Sequence, residues 1–129
     1  MEIRPVRFEE LEAARRLLAV CGWTKKVESP ELFAESVLAS QIALVSEDGG
    51  RVVGFLRAIT DGVFNGYISM VAVAPEYRRR GVGSALVNTA VESSADITWL
   101  LRADRDGVDG FYRSLGFEKS SVAMERRRR

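Results

Sequence analysis

The stretch that most constrains this chain runs from Gly66 to Val91. It begins GYISMVAV, breaks at Ala74-Pro75, passes through YRRRGVG and ends in SALVNTAV. The first part is rich in β-branched and apolar residues and reads as a strand. The last part places Leu86, Val87, Ala90 and Val91 at helical spacing. Between them lie Arg78, Arg79 and Arg80, then Gly81-Val82-Gly83. A helix amino terminus has unpaired N–H groups and a partial positive charge, and glycines just before it let the backbone curl those groups onto one point. Such a loop binds an anion, and the arginines add full charges beside it, so phosphate or pyrophosphate is the natural ligand. The bland alternative is a glycine-rich turn carrying solvated arginines. Other phosphate loops fit poorly: no lysine follows either glycine, and no glycine or alanine stands three residues after Gly83.

The rest of the chain surrounds this unit with both periodicities. Residues 2 to 6 read as a short strand, and residues 8 to 20 as a helix with Leu11, Ala14, Leu17 and Leu18 on one side. Ser29-Pro30 has the form of an N-cap and first helical position, with Phe33, Val37 and Leu38 as the following apolar stripe. Residues 41 to 46 and 51 to 59 flank EDGG and predict a β-hairpin. Strands are expected at 66 to 73, 97 to 102 and 117 to 125, and helices at 84 to 94 and about 108 to 115, the last closed by Gly116. The class is α/β in the sense of a mixed sheet with helices around it, and no repeat or linker divides residues 1 to 129 into two domains.

Composition narrows the chemistry. The chain has 129 residues, 47% hydrophobic and 29% charged, and a formal net charge of +1, so no global field draws it to nucleic acid or anionic lipid. The amino terminus, MEIRPVRFEE, lacks the apolar stretch of a signal peptide, and the single cysteine, Cys21, fits a reducing compartment; both point to the cytoplasm. Histidine is absent. Acid–base work therefore falls to carboxylates, tyrosine, Cys21 or water, and no metal site is expected. The run from Glu125 to Arg129 raises a nucleic-acid or ribosome-binding alternative, but no aromatic stacking platform accompanies it, and a solvated tail is the simpler reading.

The segment MVAVAPEYRRRGVGSAL, Met70 to Leu86, resembles the acetyl-CoA-binding motif of the GNAT superfamily of N-acetyltransferases, with Val71, Val73 and Pro75 followed by Arg78, Gly81 and Gly83. The stretch GFYRSLGF, Gly110 to Phe117, is similar to that superfamily's carboxy-terminal motif. The resemblance implies a single GNAT-like domain: a mostly antiparallel twisted sheet of about six to seven strands with a splayed fourth and fifth pair, flanked by about four helices. It implies acetyl-CoA as the acetyl donor. Main-chain groups of Val71, Ala72 and Val73 would pair with the pantetheine arm, and one N–H would face the thioester oxygen. The pyrophosphate would lie on N–H groups from Arg79 through Gly81, Val82 and Gly83 to Ser84, near Arg78, Arg79 and Arg80. Tyr112 matches a tyrosine that in this family protonates the departing thiolate or only positions its sulfur. Two positions depart from the pattern: Arg105 stands where an asparagine often bonds the CoA arm, and Leu100 where some members have a glutamate base. The base is thus open among Asp61, which is more commonly a turn residue in an Asp-Gly pair, Asp104 and a water relay. The function implied is direct acetyl transfer to a primary amine on a small molecule or a protein, with a homodimer left open. The alternative is an acetyl-CoA-binding regulatory domain without catalysis.

Overall fold

The computed structural model describes residues 1–103 and 107–128. Its elements in chain order are β1 (Glu2–Pro5), α1 (Leu11–Val20), α2 (Pro30–Leu38), β2 (Ile42–Asp48), β3 (Arg51–Thr60), β4 (Asn65–Val73), α3 (Val82–Glu92), β5 (Thr98–Leu101) and α4 (Val108–Ser114). Short 3-10 turns at Phe8–Glu10, Lys25–Val27 and Pro75–Tyr77 join some of them. The strands form one mixed sheet in the order β1-β2-β3-β4-β5. The first four are antiparallel to their neighbours, and β5 lies parallel to β4.

Local chemistry explains most boundaries. Ser29 begins α2 as expected: its Oγ accepts from the N–H of Leu32 at 3.2 Å, and Pro30 supplies the preset first-turn φ. Gly49 and Gly50 both have positive φ, +57° and +83°, as a two-residue hairpin turn demands, so Glu47 and Asp48 belong to β2 rather than to the turn. Helix α3 starts at Val82, two residues before the expected 84, because left-handed Gly81 (φ +79°) turns the chain directly into it.

The sheet has helices on both faces. One core joins Leu11, Ala14, Leu17 and Leu18 of α1 and Phe33 and Val37 of α2 to Val45, Val53, Phe55, Met70 and Ala72. The Phe33 and Phe55 rings meet there at 5.8 Å. The other joins Val82, Leu86, Val87 and Ala90 of α3 to Leu56, Ala58 and Ile68, with α4 packed against it through Phe111, Tyr112 and Leu115. Alternation along β3 sends Phe55 to the first core and Leu56 to the second.

One expectation fails. Among the described residues the sheet has five strands rather than six or seven, and residues 117 to 128 contain no strand. The apolar residues that would have anchored a last strand, Val122 and Met124, are 86% and 99% exposed. Alternation creates a strand only where a partner buries one of its faces, and no such partner covers these two.

Candidate active site

The parallel pairing of β4 with β5 is short. It runs from Asn65↔Thr98 to Ile68↔Leu101, whereas β4 continues through Ser69 to Val73. At roughly 3.3 Å per residue, the edge left without β5 is about 15 Å long. The hydrogen bond from Ala74 N–H to Val53 O, 2.8 Å, directs Ala74 toward β3. By alternation Ala72 also points that way, and Val71 and Val73 turn their N–H and C=O groups to the open edge. Among the expected donor-strand residues, then, Val71 and Val73 offer backbone groups there and Ala72 does not. The Val73 carbonyl is shared: it accepts from Arg78 Nε at 3.2 Å and from the Cys21 thiol at 3.4 Å.

The open edge leads straight into the arginine–glycine loop, where the three arginines do different things. Arg78 folds back, with Nε on Val73 O and Nη2 3.5 Å from Cys21 Sγ. Arg79 holds a left-handed backbone, φ +62°, which is uncommon for a residue with a Cβ. Arg80 lays its guanidinium over the Tyr77 ring at 5.0 Å, with Arg51 also 5.8 Å from that ring. Tyr77 is fixed in turn by donating its hydroxyl proton to Asp48 Oδ2 at 2.6 Å, a bond that raises the phenol pKa. Tyr77 holds the arginine loop in place, a role sequence reasoning missed; the aromatic immediately before an arginine run was the available signal.

Left-handed Arg79 and Gly81 curl the chain so that it enters α3 N–H groups first. The first intrahelical bond is Ala85 N–H to Gly81 O at 3.0 Å, and the N-cap residue, Gly81, brings no side-chain cap. Val82, Gly83 and Ser84 therefore lie in the turn whose N–H groups have no intrahelical acceptor. A Cβ on Gly81 would meet nothing within 4 Å, so the space beside the loop at Gly81 is open. Gly83 serves a second purpose: a Cβ there would stand 3.2 Å from Phe111 Cζ. Its absence lets α4 close onto α3.

That contact places Tyr112, the next residue of α4. Gly116 has φ +93°, Gly116 N–H bonds Arg113 O at 3.0 Å, and Phe117 N–H bonds Tyr112 O at 3.1 Å. This is the paired 5→2 and 6→1 arrangement that ends helices at a glycine. It explains LGF: the glycine turns the chain and brings the Phe117 ring to 5.8 Å from Tyr112, edge to face, opposite Phe111 at 4.9 Å. Half-buried Tyr112 faces a cavity of about 1090 Å³ shared with Tyr67, Trp99, Leu100 and Leu101. Arg126, Arg127 and Arg128 line the same cavity, and Glu125 holds that segment to the end of β5 through Arg102 at 2.7 Å. The loop from Arg78 to Ser84 does not line it. The arginine–glycine loop and the cavity are thus separate features joined through the Gly83–Phe111–Tyr112 contact.

Asp61 is elsewhere. Its Oδ1 accepts from the N–H groups of Val63 and Phe64, both at 2.8 Å, and of Asn65 at 3.2 Å. Those bonds hold its carboxyl below the ordinary range. The turn sits at the paired end of β4, roughly 25 Å of strand from Val73. A carboxylate so committed is a poor proton acceptor and a good turn residue. Asp104 and Arg105 lie outside the described residues. Among the described residues no group of acidic, cysteine or histidine side chains could hold a metal ion, and no helix is long and apolar enough to cross a membrane.

Comparison with known proteins agrees with this layout. The family model of the acetyltransferase (GNAT) domain matches residues 39–119. An acetyltransferase of Sodalis glossinidius is 30% identical over 131 residues, spanning 96% of this chain and 92% of its own length. Among solved structures, a GNAT family acetyltransferase from Streptococcus pneumoniae superposes with a TM-score of 0.77 at 26% identity, covering 98% of this chain and 97% of that one. An aminoglycoside 6'-N-acetyltransferase complexed with coenzyme A gives 0.75 at 19% identity, covering 90% and 84%, a likeness of fold. With a strand that parts from its neighbour, a glycine-curled helix entrance at the end of that strand and the matching sequence model, this chain belongs to the GNAT acetyltransferase family.

Proposed function

We infer that the protein is an acetyl-CoA-dependent N-acetyltransferase that passes the acetyl group directly to a primary amine, on a small molecule or on a protein. The observation that carries this reading is the edge of β4 that, among the described residues, no strand pairs beyond Ile68, running into the start of α3, where the N-cap Gly81 brings no side-chain cap. An extended pantetheine arm would continue the sheet along Val71 and Val73, and a pyrophosphate would meet the N–H groups from Arg79 to Ser84 with Arg79 and Arg80 beside it. When bound, acetyl-CoA supplies an activated thioester.

The remaining chemistry belongs to the chain. A backbone N–H on the open edge offers a hydrogen bond to carbonyl oxygen as charge builds on it. Tyr112 Oη holds the proton that a departing thiolate needs. A phenol near pKa 10 donates to a thiolate whose conjugate acid is near 8.5 only when held against the sulfur, and the Phe111–Tyr112–Phe117 cluster provides such holding. Overall one amide bond forms as the thioester breaks, one proton leaves the amine nitrogen and one reaches sulfur. Asp61 takes no part; water is the acceptor for the amine proton in this reading.

The test is a panel of small amines and amino-terminal peptides assayed for free thiol released from acetyl-CoA. Turnover with any of them supports direct transfer. Binding of acetyl-CoA with no turnover across the panel would favour a regulatory domain that senses acetyl-CoA. Absence of binding at millimolar concentration would end both readings.

A further inference from the structure

Strand β3 opens on Arg51 at the hairpin and carries a second charge, Arg57, inside the otherwise apolar run from Val52 to Ile59. Its neighbours Leu56 and Ala58 face the α3 core, so Arg57 faces the opposite side, under the end of α2. The guanidinium is half-buried, and burial lowers its pKa. Among the described residues no carboxylate pairs with it. Its hydrogen bonds go to neutral oxygens: Nε to Ser40 Oγ at 2.7 Å and Ser36 O at 3.2 Å, and Nη1 to Ser69 Oγ at 2.8 Å. A charge held this way is costly compared with an apolar side chain, so the destination of those bonds matters.

Ser69 is the destination. Facing β3, the pairs run Gly54↔Val73, Phe55↔Ala72, Leu56↔Val71 and Arg57↔Met70, and then jump to Ala58↔Ile68. Ser69 is therefore the extra residue of a β-bulge lying opposite Arg57, one position past Ile68↔Leu101, the last pair between β4 and β5. The bulge reverses the strand's parity. Before it, Asp61 N–H bonds Asn65 O, so odd-numbered residues of β4 point their backbone groups at β3 and even-numbered ones at β5. After it, Ala74 N–H bonds Val53 O, so even-numbered residues point at β3 and odd-numbered ones at the open edge. Without the bulge, Met70 and Ala72 would face the opening in place of Val71 and Val73.

We propose that Arg57 is a positioning residue: by pinning the Ser69 bulge to the end of α2, it sets the register in which the Val71 backbone faces a thioester at the fork of β4 and β5. This rests on the acetyl-CoA reading above and adds to it the side chain that maintains the geometry. Removing the guanidinium leaves the loop at Arg78 to Ser84 untouched, so donor affinity and donor activation separate. The misaligned N–H weakens its bond to the carbonyl, an effect smaller than the 10²- to 10³-fold loss from deleting such a donor and on the order of tenfold or more in kcat.

The experiment binds acetyl-CoA labelled with ¹³C at the acetyl carbonyl to the full chain, as wild type, Arg57→Gln, Ser69→Ala and the double variant. It reads the carbonyl stretch by infrared difference spectroscopy, affinity by calorimetry, and kcat and KM with any acceptor found. In wild type the stretch is expected below its value in free acetyl-CoA. Arg57→Gln should return it toward that value with little change in Kd and a reduced kcat. Ser69→Ala, a milder change that keeps the core intact, should do the same to a smaller degree, and the double variant should be no worse than Arg57→Gln, because both act through one contact. Variants that melt lower yet keep the wild-type stretch and kcat would overturn the proposal and leave Arg57 as a tie between α2 and the sheet. A wild type that binds acetyl-CoA with an unshifted stretch would also overturn it. A wild type that binds none would overturn the acetyl-CoA reading itself.

Discussion

The two ends of β4 are built from one continuous strand and satisfy their backbone in opposite ways. At the Asn65 end, β5 pairs with the strand, Thr98 N–H bonds Phe64 O, and Asp61 spends one oxygen on three N–H groups of the turn. Packing is equally complete, since a Cβ on Gly66 would lie 2.4 Å from the Trp99 ring. At the Val73 end, β5 has gone, the N-cap glycine of the helix that follows brings no side-chain cap, and a Cβ on Gly81 would meet nothing within 4 Å. Buried or half-buried backbone groups are nearly always paired in native proteins. The Asn65 end is completed by the chain itself, whereas the Val73 end, incomplete among the described residues, is where the acetyl-CoA proposal puts its ligand.

The largest expected effect falls between the two ends, at Tyr112. If its hydroxyl protonates the departing thiolate, Tyr112→Phe keeps the ring contacts with Phe111 and Phe117 and lowers kcat by about 10²- to 10⁴-fold at nearly unchanged acetyl-CoA affinity. If it only orients sulfur, the loss is that of one hydrogen bond, about 1 kcal/mol or fivefold. A pH profile separates the cases, because an alkaline limb due to Tyr112 must vanish in the phenylalanine variant.

At the closed end, Gly66→Ala should cost stability by about 1–3 kcal/mol through overpacking against Trp99, measured by denaturant unfolding. At the open end, Gly81→Val puts a β-branched residue where φ is +79° and should cost about 1–2 kcal/mol. Its KM for acetyl-CoA should rise by more than that stability loss accounts for, because backbone approach to phosphate is blocked. Gly83 is a poorer test, since Phe111 would feel any new side chain there. A Gly81 variant with normal KM would erase the contrast between the ends.

The smallest effect belongs to Asp61. Its folded pKa is depressed, so the stability it contributes is present above the ordinary carboxylate pKa and is lost as pH falls through the lower folded value. Glu10 behaves likewise: Arg4, bonding it at 2.7 and 2.8 Å, is the main cause of its pKa falling from 4.5 to about 2. Thermal stability should therefore decline between about pH 4.5 and pH 2, less so in Asp61→Ala, while that variant keeps its kcat and acetyl-CoA KM at neutral pH. A lost kcat would return Asp61 to the list of bases.

What could be read from the sequence was chemistry carried by neighbouring residues. Ser29-Pro30, the glycines of EDGG, the glycine-flanked helix start and Leu115-Gly116-Phe117 each determine a local backbone, and the structure contains all four. Features decided by distant residues were not legible. The Ser69 bulge exists only in the register between β3 and β4, and Arg57 gives no sign in one dimension that it serves that bulge. Arg78, Arg79 and Arg80 look alike as letters, yet a carbonyl, a strained backbone and an aromatic ring give them separate tasks. Residues 117 to 125 carry enough apolar alternation to suggest a strand, but Val122 and Met124 find no face to cover them.

The contrast between the ends is tested most directly by following the backbone amide resonances of the ¹⁵N-labelled chain while acetyl-CoA, and separately acetyl-pantetheine lacking the nucleotide and pyrophosphate, is added. With acetyl-CoA, the expected shifts concentrate at Val71 and Val73 and from Arg79 to Ser84, and spare the turn from Asp61 to Asn65. Acetyl-pantetheine should move only the strand residues and bind more weakly. Shifts centred on the Asp61 turn, or equal binding of the two ligands with no response from Gly81 to Ser84, would contradict the assignment of the open end to the acetyl donor.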